Sequence, residues 1–131
     1  MDRSRLDLQL GQFRKALNAL EEAIATDEGD KKSRDSILLS YVFTFEMAWK
    51  CLNTALTLRG LHAADYAAAT LKAGFQAELI QQPDVWDKLR TYRNDVSHAY
   101  DEGKAVLIAA FVRGGAVGHF AVLLERLTRD D

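Results

Sequence analysis

Leu6, Leu10, Phe13, Leu17, Leu20 and Ile24 follow one another at spacings that alternate between four and three residues. That rhythm keeps one side of a helix apolar for about five turns, and no strand can use it. Asp7, Gln9, Arg14, Lys15, Asn18, Glu21 and Glu22 fill the other sides, so the first element is predicted as an amphipathic helix. It stops at Thr26-Asp27-Glu28-Gly29-Asp30, a polar stretch with turn chemistry. One proline and eight glycines among 131 residues leave few places for the chain to break elsewhere. The remainder must therefore also run in long regular elements, and the length suits one globular unit with a substantial core, taken as residues 1–131.

A second helix is predicted from near Ser33 to Arg59-Gly60. Leu38, Tyr41, Phe45, Ala48, Leu52 and Ala55 form its stripe, and Val42, Trp49 and Leu56 widen that stripe beyond what one partner requires. Two readings stand: a central bundle helix, or one that also serves a subunit interface. Its aromatics Tyr41, Phe43, Phe45 and Trp49 are assigned to core first and interface second. An alanine-rich third helix is expected over Ala63 to Ala73, interrupted by Gly74. Pro83 opens a fourth, with Val85, Trp86, Leu89, Tyr92 and Val96 inward and an end near Ser97 to Tyr100. A fifth follows Asp101-Glu102-Gly103, burying Val106, Ala110, Val117, Phe120, Leu124 and Leu127. The expected architecture is an all-α, antiparallel four- to five-helix up-and-down bundle.

Seventeen Lys+Arg against nineteen Asp+Glu leave a net charge of −2, which excludes a broad electrostatic grip on nucleic acid or an anionic membrane. One cysteine, Cys51, allows no internal disulfide, and its apolar neighbours place it in the core. No apolar stretch follows a basic N-terminal start, and Arg113 and several glycines interrupt the apolar C-terminal segment; a cytoplasmic protein without a membrane role is expected. His62, His98 and His119 are too scattered for zinc, and Gly114-Gly115-Ala116-Val117-Gly118 follows no strand and precedes no phosphate-loop lysine. No metal or cofactor site is expected. For the glycine cluster a kink or a packing seam, of which the seam is favoured, is set against a close approach by another helix from a partner, and His119 beside it is assigned a structural place.

The remaining chemistry lies in Arg93-Asn94-Asp95-Val96-Ser97-His98-Ala99-Tyr100. On a continuous α-helix, at about 100° per residue, Asn94 and His98 share one side while Arg93, Ser97 and Tyr100 stack beside it, so these polar groups face one cleft. Histidine moves protons near neutral pH and arginine grips phosphate through a planar fork of donors, a pairing suited to phosphodiester chemistry without a metal. The residues alone favour a bland surface reading over this one, with Arg93 paired to Asp95 or Asp87, His98 favoured by the helix dipole, and Tyr100 covering the bundle end.

Tyr41-Val42-Phe43-Thr44-Phe45-Glu46-Met47-Ala48-Trp49-Lys50, then Leu79-Ile80 and Trp86, then Arg93-Asn94 through Ser97-His98-Ala99-Tyr100-Asp101-Glu102, resembles the HEPN superfamily. Within it, the chain is similar to the nucleotidyltransferase substrate-binding, or HepT-like toxin, branch. Glu78 departs from the small residue expected before Leu79. The resemblance implies a homodimer whose two R-x4-H motifs meet in a cleft. It further implies a metal-independent ribonuclease toxin of a type VII-like toxin–antitoxin module, silenced when a small nucleotidyltransferase antitoxin adenylylates the motif tyrosine. Carried onto this chain, Arg93 and His98 become the catalytic pair, Asn94 a supporting residue and Tyr100 the modified one. The alternative is a non-catalytic substrate- or nucleotide-binding subunit of a two-component nucleotidyltransferase. From Asp84 to Lys104, Lys88, Arg90, Arg93 and Lys104 stand against Asp84, Asp87, Asp95, Asp101 and Glu102, so RNA contact must be confined to one or two phosphates.

Overall fold

The structure is a computed structural model that describes residues 2–61 and 64–129. Its described residues are helical and contain no strand: α1 (Ser4–Ala25), α2 (Lys31–Leu58), α3 (Ala67–Gln76), α4 (Pro83–Asp95), α5 (Glu102–Phe111) and α6 (Val117–Arg129). A 3-10 turn, Val96–His98, extends α4, and a π-turn, Val112–Ala116, joins α5 to α6 as two halves of one bent rod. Counted as rods, the helices number five, the upper figure of the sequence reading.

Local chemistry sets the boundaries. Asp30 opens α2 by accepting from the Ser33 N–H at 2.9 Å. Gly60, at φ +74°, closes it: Leu61 N–H returns to the Leu56 carbonyl at 2.9 Å and Gly60 N–H to Thr57 at 2.9 Å. Pro83 stands at the first turn of α4, and Asp101 caps α5 through the Lys104 N–H at 3.2 Å.

α1 and α2 form an antiparallel hairpin in which the Thr44 hydroxyl donates to the Ala16 carbonyl at 3.1 Å. α2 touches every other helix and is the central element. The core gathers around Phe120, whose ring lies 6.3 Å from Phe13, 6.0 Å from Tyr41 and 5.9 Å from Trp86. The Tyr41 hydroxyl donates to the Leu89 carbonyl, so α4 is tied to α2 inside this cluster; burial pushes that phenol well above its ordinary pKa.

Three expectations need correction. α3 runs through Gly74 to Gln76. Gly74 is buried, and a Cβ there would stand 2.6 Å from Leu52 Cδ2, so this glycine permits close packing of α3 on α2 where a break was expected. Ala63, the expected start of α3, and His62 lie outside the described residues. In the last rod, Val106 and Ala110 are exposed; the core positions are Ala105, Ile108, Ala109, Val112 and Ala116. The π-turn adds residues to one turn and resets the register between α5 and α6, which a uniform period of 3.6 cannot follow. Finally, Gly114, Gly115 and Gly118 meet nothing within 4 Å of an added Cβ, and Gly115 sits at φ +139°. The cluster is a kink and not a packing seam within this chain.

Glu102–Arg129 is long and apolar enough to cross a membrane by length and composition. Here it bends at the π-turn, and Ile108, Val112, Phe120 and Leu127 on its inner face are core.

Candidate functional site

Leu89 and Trp86 anchor α4 in the core, and Tyr92 stacks on Phe111 at 4.1 Å, which carries the motif segment to the end of the bundle. The α-helix stops at Asp95. From Val96 the winding tightens to three residues per turn, then Ala99 N–H bonds to the Val96 carbonyl at 3.0 Å and Asp101 N–H to His98 at 3.1 Å. The side-by-side stacking expected from a continuous α-helix therefore does not hold beyond Asp95. Arg93 is half-buried, whereas Asn94, Ser97, His98 and Tyr100 are exposed.

Arg93 turns back onto α2. Its Nε donates to Glu46 Oε1 at 2.8 Å, and the other oxygen of that carboxylate accepts from the Trp49 indole N–H at 3.1 Å. Neither Asp95 nor Asp87 is its partner; Asp87 instead holds Arg90 at 3.1 Å. One carboxylate thus fixes the guanidinium and an indole together, using one nitrogen of the arginine fork and leaving the others for an anion. Ser97 folds onto its own helix end, donating to the Asn94 carbonyl at 3.0 Å.

His98 and Tyr100 meet edge to face with ring centroids 6.2 Å apart. Tyr100 is 87% exposed, the most uncovered of the large apolar or aromatic residues among those described. The His98 imidazole beside it is exposed as well. The structure therefore groups the motif into an arginine held at the α2–α4 seam and a histidine–tyrosine pair on the turn beyond it. Asn94 lies exposed on the last turn of α4 between them.

Cys51 is fully buried and its thiol is pushed up to about 12 by burial, so it stays protonated and plays no part here. No group of three or more metal-ligating side chains occurs among the described residues. Glu46 was the functional candidate that sequence reasoning left without a role. The available signal was its spacing of three from Trp49, which puts a carboxylate and an indole on one face of α2.

The fold and motif define a helical bundle of the HEPN type. The family model described as "Nucleotidyltransferase substrate binding protein like" matches residues 8–129, and the chain belongs to that family. No curated protein matches it.

Proposed function

We propose that this chain is a metal-independent ribonuclease toxin of the cytoplasm, acting as a homodimer and silenced by adenylylation of Tyr100. The observation that carries this reading is the exposed His98–Tyr100 pair on the turn that follows an arginine already oriented by Glu46. In RNA cleavage the ribose 2′-OH attacks phosphorus and the bond to the 5′-oxygen breaks, leaving a 2′,3′-cyclic phosphate and a 5′-hydroxyl. A base takes the 2′-OH proton, an acid supplies one to the leaving oxygen, and cations hold the phosphorane. A two-fold dimer supplies His98 twice, once in each role, and Arg93 twice on the phosphate, with Asn94 as a further donor. Leu39 and Phe43, one turn apart on α2 and 58% and 57% exposed, offer an apolar face running up to Glu46 for that pairing.

The family description points to a nucleotidyltransferase as the second partner. In its active site the Tyr100 hydroxyl attacks the α-phosphorus of ATP and pyrophosphate leaves. The adenylate then places an anion within reach of Arg93 and competes with RNA phosphate.

A second reading, a non-catalytic substrate-binding subunit of a nucleotidyltransferase, draws support from the family description and from the mixed charges around the motif. Expressing the chain alone separates the two. The ribonuclease reading expects growth arrest and RNA cleavage that His98→Ala and Arg93→Ala abolish; identical behaviour of wild type and variants overturns it. Incubation with the partner and ATP should add adenylate mass to wild type but not to Tyr100→Phe.

A further inference from the structure

The motif's arginine shares its carboxylate with Trp49, and Trp49 is also a wall of a groove of about 610 Å³ between the start of α1 and the second half of α2. That volume lies within the range of small-molecule sites, about 300–1,000 Å³. We propose that this groove is a nucleotide subsite, holding a base against Trp49 and its phosphate on Arg5 and Lys50. The inference rests on the ribonuclease reading only for where the nucleotide comes from.

Four features argue for it. The Trp49 N–H is tied edge-on to Glu46, so the indole is fixed in place, and Lys50 Nζ stands over its face 6.0 Å from the ring centroid, on a flexible stem that must swing aside for a base to stack there. Arg5 and Lys50 line the groove, and neither forms an ion pair with any described residue. Two acids share the lining, Asp65 and Asp2, the latter held ionised by the Ser4 N–H and hydroxyl, so two carboxylates stand against the two cations. That balance leaves no excess of cations for a long backbone, so a single phosphate is held only by direct contact with Arg5 and Lys50. Gln9, also in the wall, has its side-chain carbonyl buried without a partner. An N–H on a base bound in the groove is the partner this oxygen lacks once the side chain turns toward it.

Continuity with the motif follows from helix geometry. Glu46 and Trp49 are three residues apart, about 4.5 Å along α2, so a nucleotide on Trp49 is the neighbour of a phosphate on Arg93. An aromatic platform flanked by cations is how single-stranded nucleic acid is held without sequence readout.

The test uses the full chain carrying His98→Ala, so that binding is read without cleavage. Titration with AMP should shift the Trp49 indole resonance and leave that of Trp86 in place. Adenosine should bind about tenfold more weakly than AMP, and Arg5→Ala with Lys50→Ala, both surface changes, should erase that difference. Gln9→Met should raise the melting temperature while weakening AMP, because it removes a buried acceptor that the free chain leaves unsatisfied; a purely structural glutamine would lower the melting temperature. Tetra-adenylate binding more tightly than AMP identifies an RNA chain as the source, and equal binding a free nucleotide. An unmoved Trp49 resonance at millimolar AMP, or an AMP preference that survives loss of both cations, overturns the subsite. Wild-type chain that cleaves no RNA while AMP still moves Trp49 overturns the ribonuclease reading alone.

Discussion

Arg93 and Glu46 lie 47 positions apart in the chain and meet at 2.8 Å, each side chain about 30% exposed. At that burial the contact is worth about 1 kcal/mol, more than a fully exposed pair. It also selects one orientation of the guanidinium.

Glu46→Gln keeps the side-chain shape but loses the charge and presents an amide nitrogen to one of two donors. Urea unfolding should show a loss of about 1 kcal/mol. Cleavage at saturating RNA should fall by about tenfold, because Arg93 no longer holds its angle on the phosphate. Unchanged turnover with reduced stability would leave Glu46 a purely structural residue.

Two helix ends in this chain use the same hydrogen-bonded reversal with different residues at its left-handed position. Gly60 closes α2 at φ +74°, and Glu78 closes α3 at φ +62°, with Leu79 N–H on the Gly74 carbonyl at 2.9 Å and Glu78 N–H on Phe75 at 3.0 Å. Only glycine adopts that conformation freely. Glu78→Gly should therefore stabilise the fold by about 1 kcal/mol, measured as a higher urea midpoint with an unchanged slope. A lower midpoint would mean that the glutamate side chain contributes more than its backbone costs.

The three glycines at the bend of the last rod, Gly114, Gly115 and Gly118, should answer differently to alanine. Gly115, at φ +139°, is in a conformation that a Cβ disfavours whatever space surrounds it, so Gly115→Ala should cost about 2 kcal/mol. Gly114 and Gly118 have open space and no such φ, so each should gain about 0.5–1 kcal/mol from helix propensity. Thermal melts of the three single variants check the ordering, and an equal loss at all three would place a partner against this face.

The extent to which the chain announced all this follows from which signals are local. The stripe from Leu6 to Leu20 and the Pro83 start depend on neighbours in sequence, and both stand in the structure. Gly74 misled because a glycine that breaks a helix and one that lets Leu52 approach are identical in sequence; only the partner helix distinguishes them. The π-turn displaced the predicted inward face of α5 for a similar reason, since its cause at Gly115 is a backbone choice that periodicity does not register. At the site, Arg93, His98 and Tyr100 were legible as residue types. Their grouping was not, because Glu46 reaches Arg93 from another helix and the winding changes at Val96.

The α1–α2 connection supplies a pH dependence whose sign can be worked out. Hydrogen bonds from the Ser33 hydroxyl and N–H hold the Asp30 carboxyl below its ordinary value, and the Gly29 N–H, with Arg113 at 2.7 Å, does the same for Asp27. A carboxylate whose folded pKa is depressed stabilises the fold fully above its unfolded value, about 3.9, and loses that contribution as pH falls through the folded value. Stability should therefore drop below about pH 4, with the cap of α2 and the clamp between this connection and the π-turn released together. Asp30→Asn preserves the acceptor oxygen for the Ser33 N–H but cannot titrate, so its stability should fall less steeply over that acidic range than wild type. Arg113→Gln should remove only the arginine's share of the Asp27 part, leaving the larger share from the Gly29 N–H. Urea unfolding of the three chains between neutral pH and pH 3 decides it: parallel curves would show that neither carboxylate is linked to folding.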